Sequence, residues 1–169
     1  MTQETNVLFS TDYFSFEEDP RGEGFVRSGN EVLIVAVDGD GQVLLAIEPS
    51  PAFGEPTLIL PSGETEDDEQ LVETANRELQ EELGLRAGRV DLLVEMRPWS
   101  KYLHVTTYVF VARDLAESHL EGDEEHDIGV ERIRLAHFES LVEEGRLKDA
   151  RVIAALHLAR RFLREEGPL

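Results

Sequence analysis

The sequence predicts an α/β sandwich, in which mixed β-strands pack with helices. The prediction rests on several β-rich runs, one acidic amphipathic helix inserted between them and a second amphipathic helix near the C-terminus. Composition alone, with 41% hydrophobic residues, indicates only a globular chain of the α/β or α+β class. A length of 169 residues predicts one domain, residues 1–169, that is large enough to bury a core.

The N-terminal part of the chain predicts strands joined by tight turns. Residues 1–30 are typical of short strands, with a hairpin turn at residues 19–22, Asp-Pro-Arg-Gly. Residues 31–37 and 42–47 are β-rich runs on either side of Asp-Gly-Asp-Gly at 38–41, which is the clearest hairpin signal in the chain.

The C-terminal half predicts three further strands and two helices. The strands are expected at residues 90–96, 102–112 and 130–135, and the helices at 136–144 and 149–165. Gly145 is expected to close the first of these helices. No repeat or low-complexity segment interrupts this order.

Composition excludes several classes of function. The chain has no cysteine, which excludes disulfides, thiol nucleophiles and cysteine-bound zinc. No apolar run approaches the ~20 residues that a membrane span needs, and the N-terminus lacks the pattern of a signal peptide. We therefore expect a cytoplasmic protein without membrane contact.

The formal net charge is −20, with 16 lysines and arginines against 36 acidic residues. Such a surface repels nucleic acid, so no nucleic-acid partner is expected. The same charge opposes anionic nucleotides, which predicts a dependence on divalent cations. One interpretation of the acidic surface is a high-salt cytoplasm, where screening makes it tolerable.

The most specific feature of the sequence is an ordered run of acidic residues. It reads Gly63-x5-Glu69-x7-Arg77-Glu78-Leu79-x-Glu81-Glu82-x-Gly84-Leu85. On a helix, Glu78, Glu81 and Glu82 crowd within one turn and repel one another unless a cation lies among them. Carboxylate oxygens in this number suit Mg²⁺ or Mn²⁺.

The surrounding residues predict the helix that would carry these acids. Val72, Ala75, Leu79 and Leu83 repeat at helical spacing and form the expected buried stripe, with the three glutamates beside it. The helix is expected to end at Gly84. Its expected caps are Asp67 or Asp68.

This pattern resembles the Nudix box, the signature of hydrolases that cleave a nucleoside diphosphate linked to another group. The resemblance implies an α/β/α sandwich with a mixed sheet and a short N-terminal β extension. It also implies Mg²⁺ (or Mn²⁺) as cofactor, a nucleoside diphosphate-linked small molecule as substrate, and a homodimer in which residues 1–30 help to join the subunits.

The resemblance assigns roles to residues of the box. Glu78 and Glu82 are implied metal ligands, with Glu81 as a third or water-mediated ligand and the Ser62 carbonyl as a further one. As implied ligands of the catalytic metal, Glu81 and Glu82 are also expected to be catalytic residues. Arg77 is expected to orient the carboxylates rather than touch the substrate.

Glu69 lies two helical turns before Arg77 on nearly the same face, which predicts a structural pairing between these two residues.

A second acidic segment, residues 121–127, offers candidates for a general base. It lies between two predicted strands and could fold over the metal helix. In similar Nudix enzymes a glutamate of this loop activates water or binds metal, which makes Glu124 the first candidate and Glu125 the second. The alternative is an exposed acidic loop in an acidic protein.

Outside the box, the chain resembles ADP-ribose pyrophosphatases and bacterial ADP-compounds hydrolases. The similar segments are residues 74–79, 120–124 and 149–151. This resemblance implies hydrolysis of ADP-ribose to AMP and ribose 5-phosphate as the leading reaction. The alternatives are a diadenosine polyphosphate or NADH hydrolase and, from another class, a catalytically silent nucleotide sensor.

Three residues beyond the box are candidates for substrate binding. A proline at this distance is typical of ADP-ribose enzymes and a tyrosine of diadenosine polyphosphate enzymes, and this chain has both Pro98 and Tyr102, with Trp99 between them. An aromatic ring here could stack on adenine. Trp99 and Tyr102 could equally be packing residues.

Overall fold

The computed structural model describes residues 4–66, 68–121 and 129–166. These residues form strands and helices in the predicted α/β arrangement. The strands are β1 Asn6–Ser10, β2 Phe14–Glu18, β3 Gly24–Ser28, β4 Glu31–Ala36, β5 Gln42–Ser50, β6 Glu55–Ile59, β7 Ser62–Glu64, β8 Leu85–Met96, β9 Leu103–His104, β10 Thr107–Glu117 and β11 Gly129–Arg134. The helices are α1 Leu71–Glu82, α2 Glu139–Glu143 and α3 Ala150–Glu166.

The central sheet has the strand order β7-β4-β10-β8 and is mixed, because β4 and β10 run parallel while the outer pairs are antiparallel. Side chains of β4 alternate between two apolar clusters. Val32, Ile34 and Ala36 pack with α1, whereas Leu33 and Val35 pack on the opposite side with α3. Both faces of the central sheet are therefore covered, as the sandwich prediction requires.

The turn at residues 38–41 is present, but its two strands do not form a hairpin. Asp38 accepts backbone hydrogen bonds from Asp40 and Gln42, and Gly41 has a φ of 73°. Beyond the isolated bridge between Val37 and Val43, β4 stays in the central sheet while β5 enters an antiparallel sheet of order β11-β5-β6. Although the strands pair in different sheets, Leu33 and Val35 of β4 and Val43 and Leu45 of β5 belong to one apolar cluster.

The buried face of α1 differs slightly from the stripe that the sequence predicted. Val72 is 44% exposed, and the buried face is carried by Thr74, Ala75, Glu78 and Leu79. Glu78 thus lies within the buried face rather than beside it. This is possible because the facing strand β7 presents a glycine, which leaves room for the carboxylate.

The ends of α1 agree with the prediction at one end only. Gly84, with a φ of 64°, follows the C-cap residue Leu83, as expected. The N-cap residue is Gln70, whose extended backbone precedes the first turn, so Asp68 is not the cap. Asp67 lies outside the described residues.

The C-terminal elements follow the predicted order with shifted bounds. Strand β8 begins at Leu85, earlier than predicted, and the run at residues 102–112 is divided into β9 and β10. The helix predicted at 136–144 is a 3₁₀ turn at Leu135–His137 followed by the short α2, and Gly145 follows it with a φ of 72°. None of the helices in the described ranges is long and apolar enough to span a membrane.

The N-terminal strands form a separate small sheet of order β1-β2-β3-β9. The turn predicted at residues 19–22 joins β2 to β3, and Asp19 accepts the backbone N–H groups of Arg21 and Glu23. This sheet exposes several large apolar side chains. They are Val7, Leu8, Phe9, Tyr13, Phe14 and Phe16.

Candidate active site

Strand β7 and helix α1 bring the start and the end of the acidic motif together. Gly63 on β7 faces α1, and a Cβ atom at this position would overlap the Glu78 carboxylate. Glu78 is only 8% exposed, so this carboxylate is held between the helix and the sheet. The motif requires glycine here because any side chain would displace Glu78.

A guanidinium lies among the carboxylates of the motif. Arg77 Nη1 lies 2.7 Å from Glu78 Oε1 and 3.0 Å from Glu81 Oε2, and Arg77 Nε lies 3.3 Å from Glu69 Oε1. We call these four residues the Arg77 cluster. The pairing of Glu69 with Arg77 that the sequence predicted is present. The orienting role of Arg77 stays a prediction.

Arg77 also connects the helix to the loop that precedes it. Its Nη2 donates a hydrogen bond of 3.1 Å to the backbone carbonyl of Glu64, at the end of β7. Partial burial alone would lower the pKa of Arg77, but the hydrogen bond to Glu69 and the charges of Glu78 and Glu81 outweigh it and raise that pKa above its ordinary value. Arg77 therefore stays charged at neutral pH.

Glu82 lies one turn beyond Glu78 and contacts the same strand. Its Oε1 accepts a hydrogen bond of 3.1 Å from the backbone N–H of Ser62. The structure therefore brings Ser62, Glu78, Glu81 and Glu82, the four predicted metal ligands, to one junction of β7 and α1.

The donor chemistry of this junction fits a hard divalent cation. The candidate ligands are all oxygen atoms, and the Arg77 cluster sets three carboxylates against one guanidinium, with Glu82 adding a fourth carboxylate nearby. Within the described ranges, no three acidic or histidine side chains converge on one metal-sized space. The carboxylates point instead at Arg77 and the Ser62 N–H.

Both candidate bases, Glu124 and Glu125, lie outside the described residues. The segment that leads to them is anchored at the C-terminal end of α1. Ser118 Oγ donates to Gln80 Oε1 at 2.8 Å, the Ser118 N–H donates to the Gly84 carbonyl at 2.9 Å, and the Leu120 N–H donates to the Gln80 carbonyl at 3.3 Å. Gln80 and Ser118 could not be predicted from the sequence, because no local pattern relates residues 38 positions apart.

The candidate substrate residues lie in the turn after β8. Trp99 is 75% exposed, and its ring meets the Tyr102 ring edge-on at 5.4 Å between centroids. Pro98 and Trp99 line a cavity of about 970 Å³, and Tyr102 lines a neighbouring one of about 630 Å³. Within the part of the chain that the structure describes, no hydrogen bond or ion pair joins these residues to the Arg77 cluster.

A second charged network, which the sequence analysis missed, supports the strand next to the motif. Arg151 Nη1 lies 2.6 Å from Glu31 Oε1, which also accepts a hydrogen bond of 2.6 Å from Thr107 Oγ1. Glu31 pairs directly with Glu64 across β4 and β7. The network therefore links the start of α3 to the strand beside the motif.

The ion pair between Arg151 and Asp149 shifts the pKa values of both groups. Burial by itself would lower the pKa of Arg151 and raise that of Asp149. The side-chain hydrogen bonds between them outweigh burial in both cases. The charge of Glu31 also raises the pKa of Arg151, and the backbone N–H groups of Arg151 and Val152 also lower that of Asp149.

The chain is similar to known proteins over most of its length. It is 30% identical over 140 residues to the ADP compounds hydrolase NudE of Escherichia coli (strain K12), covering 83% of this chain and 75% of that protein. It is 25% identical over 150 residues to an ADP-ribose pyrophosphatase of Bacillus subtilis (strain 168), covering 85% of this chain and 81% of that one.

The fold agrees with these similarities. A crystal structure of an ADP compounds hydrolase matches 98% of this chain and 95% of its own with a TM-score of 0.85 and 28% identity. The NUDIX domain family matches residues 27–156, which include the entire acidic motif and the strands on either side of it. The chain therefore belongs to the Nudix family.

Proposed function

We propose that this protein is a metal-dependent pyrophosphatase that cleaves ADP-linked small molecules, with ADP-ribose to AMP and ribose 5-phosphate as the leading reaction. The observation that carries the proposal is that Ser62, Glu78 and Glu82 meet at the junction of β7 and α1, with Glu81 held beside them by Arg77. The similarity to an ADP compounds hydrolase and to an ADP-ribose pyrophosphatase supports the choice of substrate.

The ligands of the metal would be the Ser62 carbonyl and the carboxylates of Glu78, Glu81 and Glu82. When bound, Mg²⁺ or Mn²⁺ supplies positive charge that neutralises the pyrophosphate and lowers the pKa of a nearby water. This charge matters more here than in most proteins, because a net charge of −20 repels the substrate.

Arg77 is proposed to position the carboxylates. In the described structure it holds Glu78 at 2.7 Å and Glu81 at 3.0 Å, so these side chains enter the site already oriented. The Ser62 N–H does the same for Glu82. Preorganisation of this kind lowers the cost of assembling the site when substrate arrives.

A glutamate is proposed to remove the proton from the attacking water. Glu124 is the first candidate and Glu125 the second. The water oxygen forms a new bond to one phosphorus, the P–O bond of the pyrophosphate breaks, and the bridging oxygen leaves with the second product. The water proton passes to the glutamate.

Pro98, Trp99 and Tyr102 are proposed to contact the substrate beyond the pyrophosphate. The exposed Trp99 ring and the Tyr102 ring offer apolar faces on which a base can stack.

A homodimer through the N-terminal sheet is also proposed. Val7, Phe9, Tyr13, Phe14 and Phe16 are between 41% and 77% exposed, and a soluble monomer rarely exposes an apolar surface of this kind. Sedimentation at micromolar concentration tests this part of the proposal: a dimer that Phe9→Asp dissociates agrees with it, and a monomeric wild type contradicts it.

The test of the reaction is a product analysis with ADP-ribose and Mg²⁺, in which AMP and ribose 5-phosphate are separated. Equimolar release of both, abolished by EDTA, is the expected result. If diadenosine polyphosphates or NADH are cleaved and ADP-ribose is not, the alternative substrate class is correct. If the protein binds these nucleotides and cleaves none, it is a nucleotide sensor and the proposed reaction is wrong.

A further inference from the structure

A cavity of about 630 Å³ lies between the N-terminal sheet and the turn after β8. We call it the basic cavity, because Arg97 and Lys101 both line it. Aromatic rings of Phe25 and Tyr102 form part of the same wall, and the Lys101 ammonium lies 5.2 Å from the centre of the Tyr102 ring.

The two cations of the basic cavity have no carboxylate partner in the described ranges, 4–66, 68–121 and 129–166. This is unexpected in a chain with 36 acidic residues and 16 basic ones, where a cation has many possible partners. Asp19 and Glu23 also line the cavity, but neither lies within ion-pair distance of Arg97 or Lys101. Asp19 is engaged by the backbone N–H groups of its own turn.

The basic cavity is close to the acidic motif. Its wall includes Thr106, whose N–H donates to Asn30 Oδ1 at 3.0 Å. The carbonyl of the same asparagine accepts the N–H of Thr65, at 2.9 Å, in the motif loop. The backbones of Thr106 and Thr65 are therefore about two strand spacings apart, or ~10 Å. One elongated ligand can contact both places.

The charges at these two places differ in sign. The Arg77 cluster and Glu82 are strongly acidic, so phosphate can bind there only with metal ions. The basic cavity brings the two cations Arg97 and Lys101 together without metal, with Asp19 and Glu23 as the acidic residues of the same lining. A phosphate beyond the two that the metal site engages would be repelled by most of this acidic surface, but here it can contact Arg97 and Lys101 directly.

We propose that Arg97 and Lys101 bind a third phosphate of the substrate and thereby raise the specificity of the enzyme for dinucleoside polyphosphates relative to ADP-ribose. This inference rests on the proposed pyrophosphatase function and names two specificity-determining residues for it. Arg97 can make a bidentate contact with a phosphate, and Lys101, held against Tyr102, adds a second charge.

The first experiment measures kcat/KM for diadenosine triphosphate and ADP-ribose with Mg²⁺, in the wild type and in the double variant Arg97→Gln/Lys101→Gln. Both side chains are exposed, so the variant is expected to fold. In the double variant, kcat/KM for diadenosine triphosphate should fall about tenfold or more, mainly through a higher KM, because charge-assisted hydrogen bonds are lost. The value for ADP-ribose should change less than about twofold.

Arg132→Gln is the matched control. Arg132 is an exposed arginine on β11, outside the lining of the basic cavity, and its removal changes the net charge in the same direction. An equal loss of kcat/KM for both substrates, or the same loss in the control, would show that the cavity does not bind a third phosphate. Either result would overturn the proposal.

A binding measurement separates this proposal from the proposed reaction. Trp99 is the only tryptophan of the chain. It lines the neighbouring cavity together with Arg97, and its ring meets Tyr102 of the basic cavity at 5.4 Å, so its fluorescence is the probe of ligand binding without turnover. Inorganic triphosphate, titrated in EDTA, should bind saturably and about tenfold or more weakly to the double variant. Absent binding, or equal affinities, would overturn the cavity assignment whether or not any nucleotide is hydrolysed.

Discussion

The Glu78 carboxylate occupies the space that a side chain of Gly63 would fill. This relationship links the first residue of the acidic motif to its central glutamate and explains why both are needed at these positions. It also places a nearly buried carboxylate, 8% exposed, next to the strand that supplies Ser62.

Gly63→Ala should reduce hydrolysis of ADP-ribose by about 10²-fold or more, because the new methyl group displaces Glu78 from its position. The fold should survive, since the carboxylate can move toward solvent. Steady-state rates with Mg²⁺, together with circular dichroism, check this. An active Gly63→Ala protein would show that the position of Glu78 is not critical.

Arg77→Gln should lower kcat by about 10-fold to 100-fold and should also lower the melting temperature, because three carboxylates lose their shared cation. Arg77→Lys should restore little of the kcat or of the melting temperature. One ammonium cannot reproduce the contacts that Nε, Nη1 and Nη2 of the arginine make. Rates and thermal unfolding of the three proteins give the answer; full rescue by lysine would contradict a positioning role.

Glu124→Gln should lower the rate without abolishing metal binding, and Glu125→Gln should have the smaller effect. The measurement is the pH profile of kcat/KM alongside Mn²⁺ binding. If Glu125→Gln is the damaging change, the base is the neighbouring residue. If neither variant is impaired, neither Glu124 nor Glu125 is the base.

Glu17 makes folding stability depend on acid pH. Hydrogen bonds from Arg27, then Thr5 and Ser15, lower the pKa of Glu17 from 4.5 to about 2. Because the folded pKa is the lower one, the stabilisation is fully present above about pH 4.5 and is lost as the pH falls towards 2.

The variant Glu17→Gln should therefore be less stable than the wild type at pH 7, by about 1–3 kcal/mol, and the difference should shrink below pH 4.5. Urea unfolding at pH 7, 4.5 and 3 measures it, with Glu18→Gln on the opposite face of β2 as control. A difference independent of pH would mean that the Glu17 charge contributes nothing.

Local patterns in the sequence were sufficient to predict the elements around the site. The spacing of Glu69 and Arg77 predicted their ion pair, and Gly84 predicted the end of α1. Long-range relationships were not predictable. Glu31 and Arg151 lie 120 positions apart, and neither is part of a periodic pattern that implies contact. The buried position of Glu78 depends on the missing side chain of Gly63 on another element.

The most direct test of the central claim compares Mg²⁺-dependent AMP release from ADP-ribose by the wild type, Glu82→Gln and Glu73→Gln. Glu73 lies exposed in the first turn of α1, outside the Arg77 cluster, and serves as the matched control. We expect Glu82→Gln to lose at least about 10²-fold in kcat with an unchanged melting temperature, and Glu73→Gln to keep its activity. A fully active Glu82→Gln protein would contradict the assignment of this junction as the metal site.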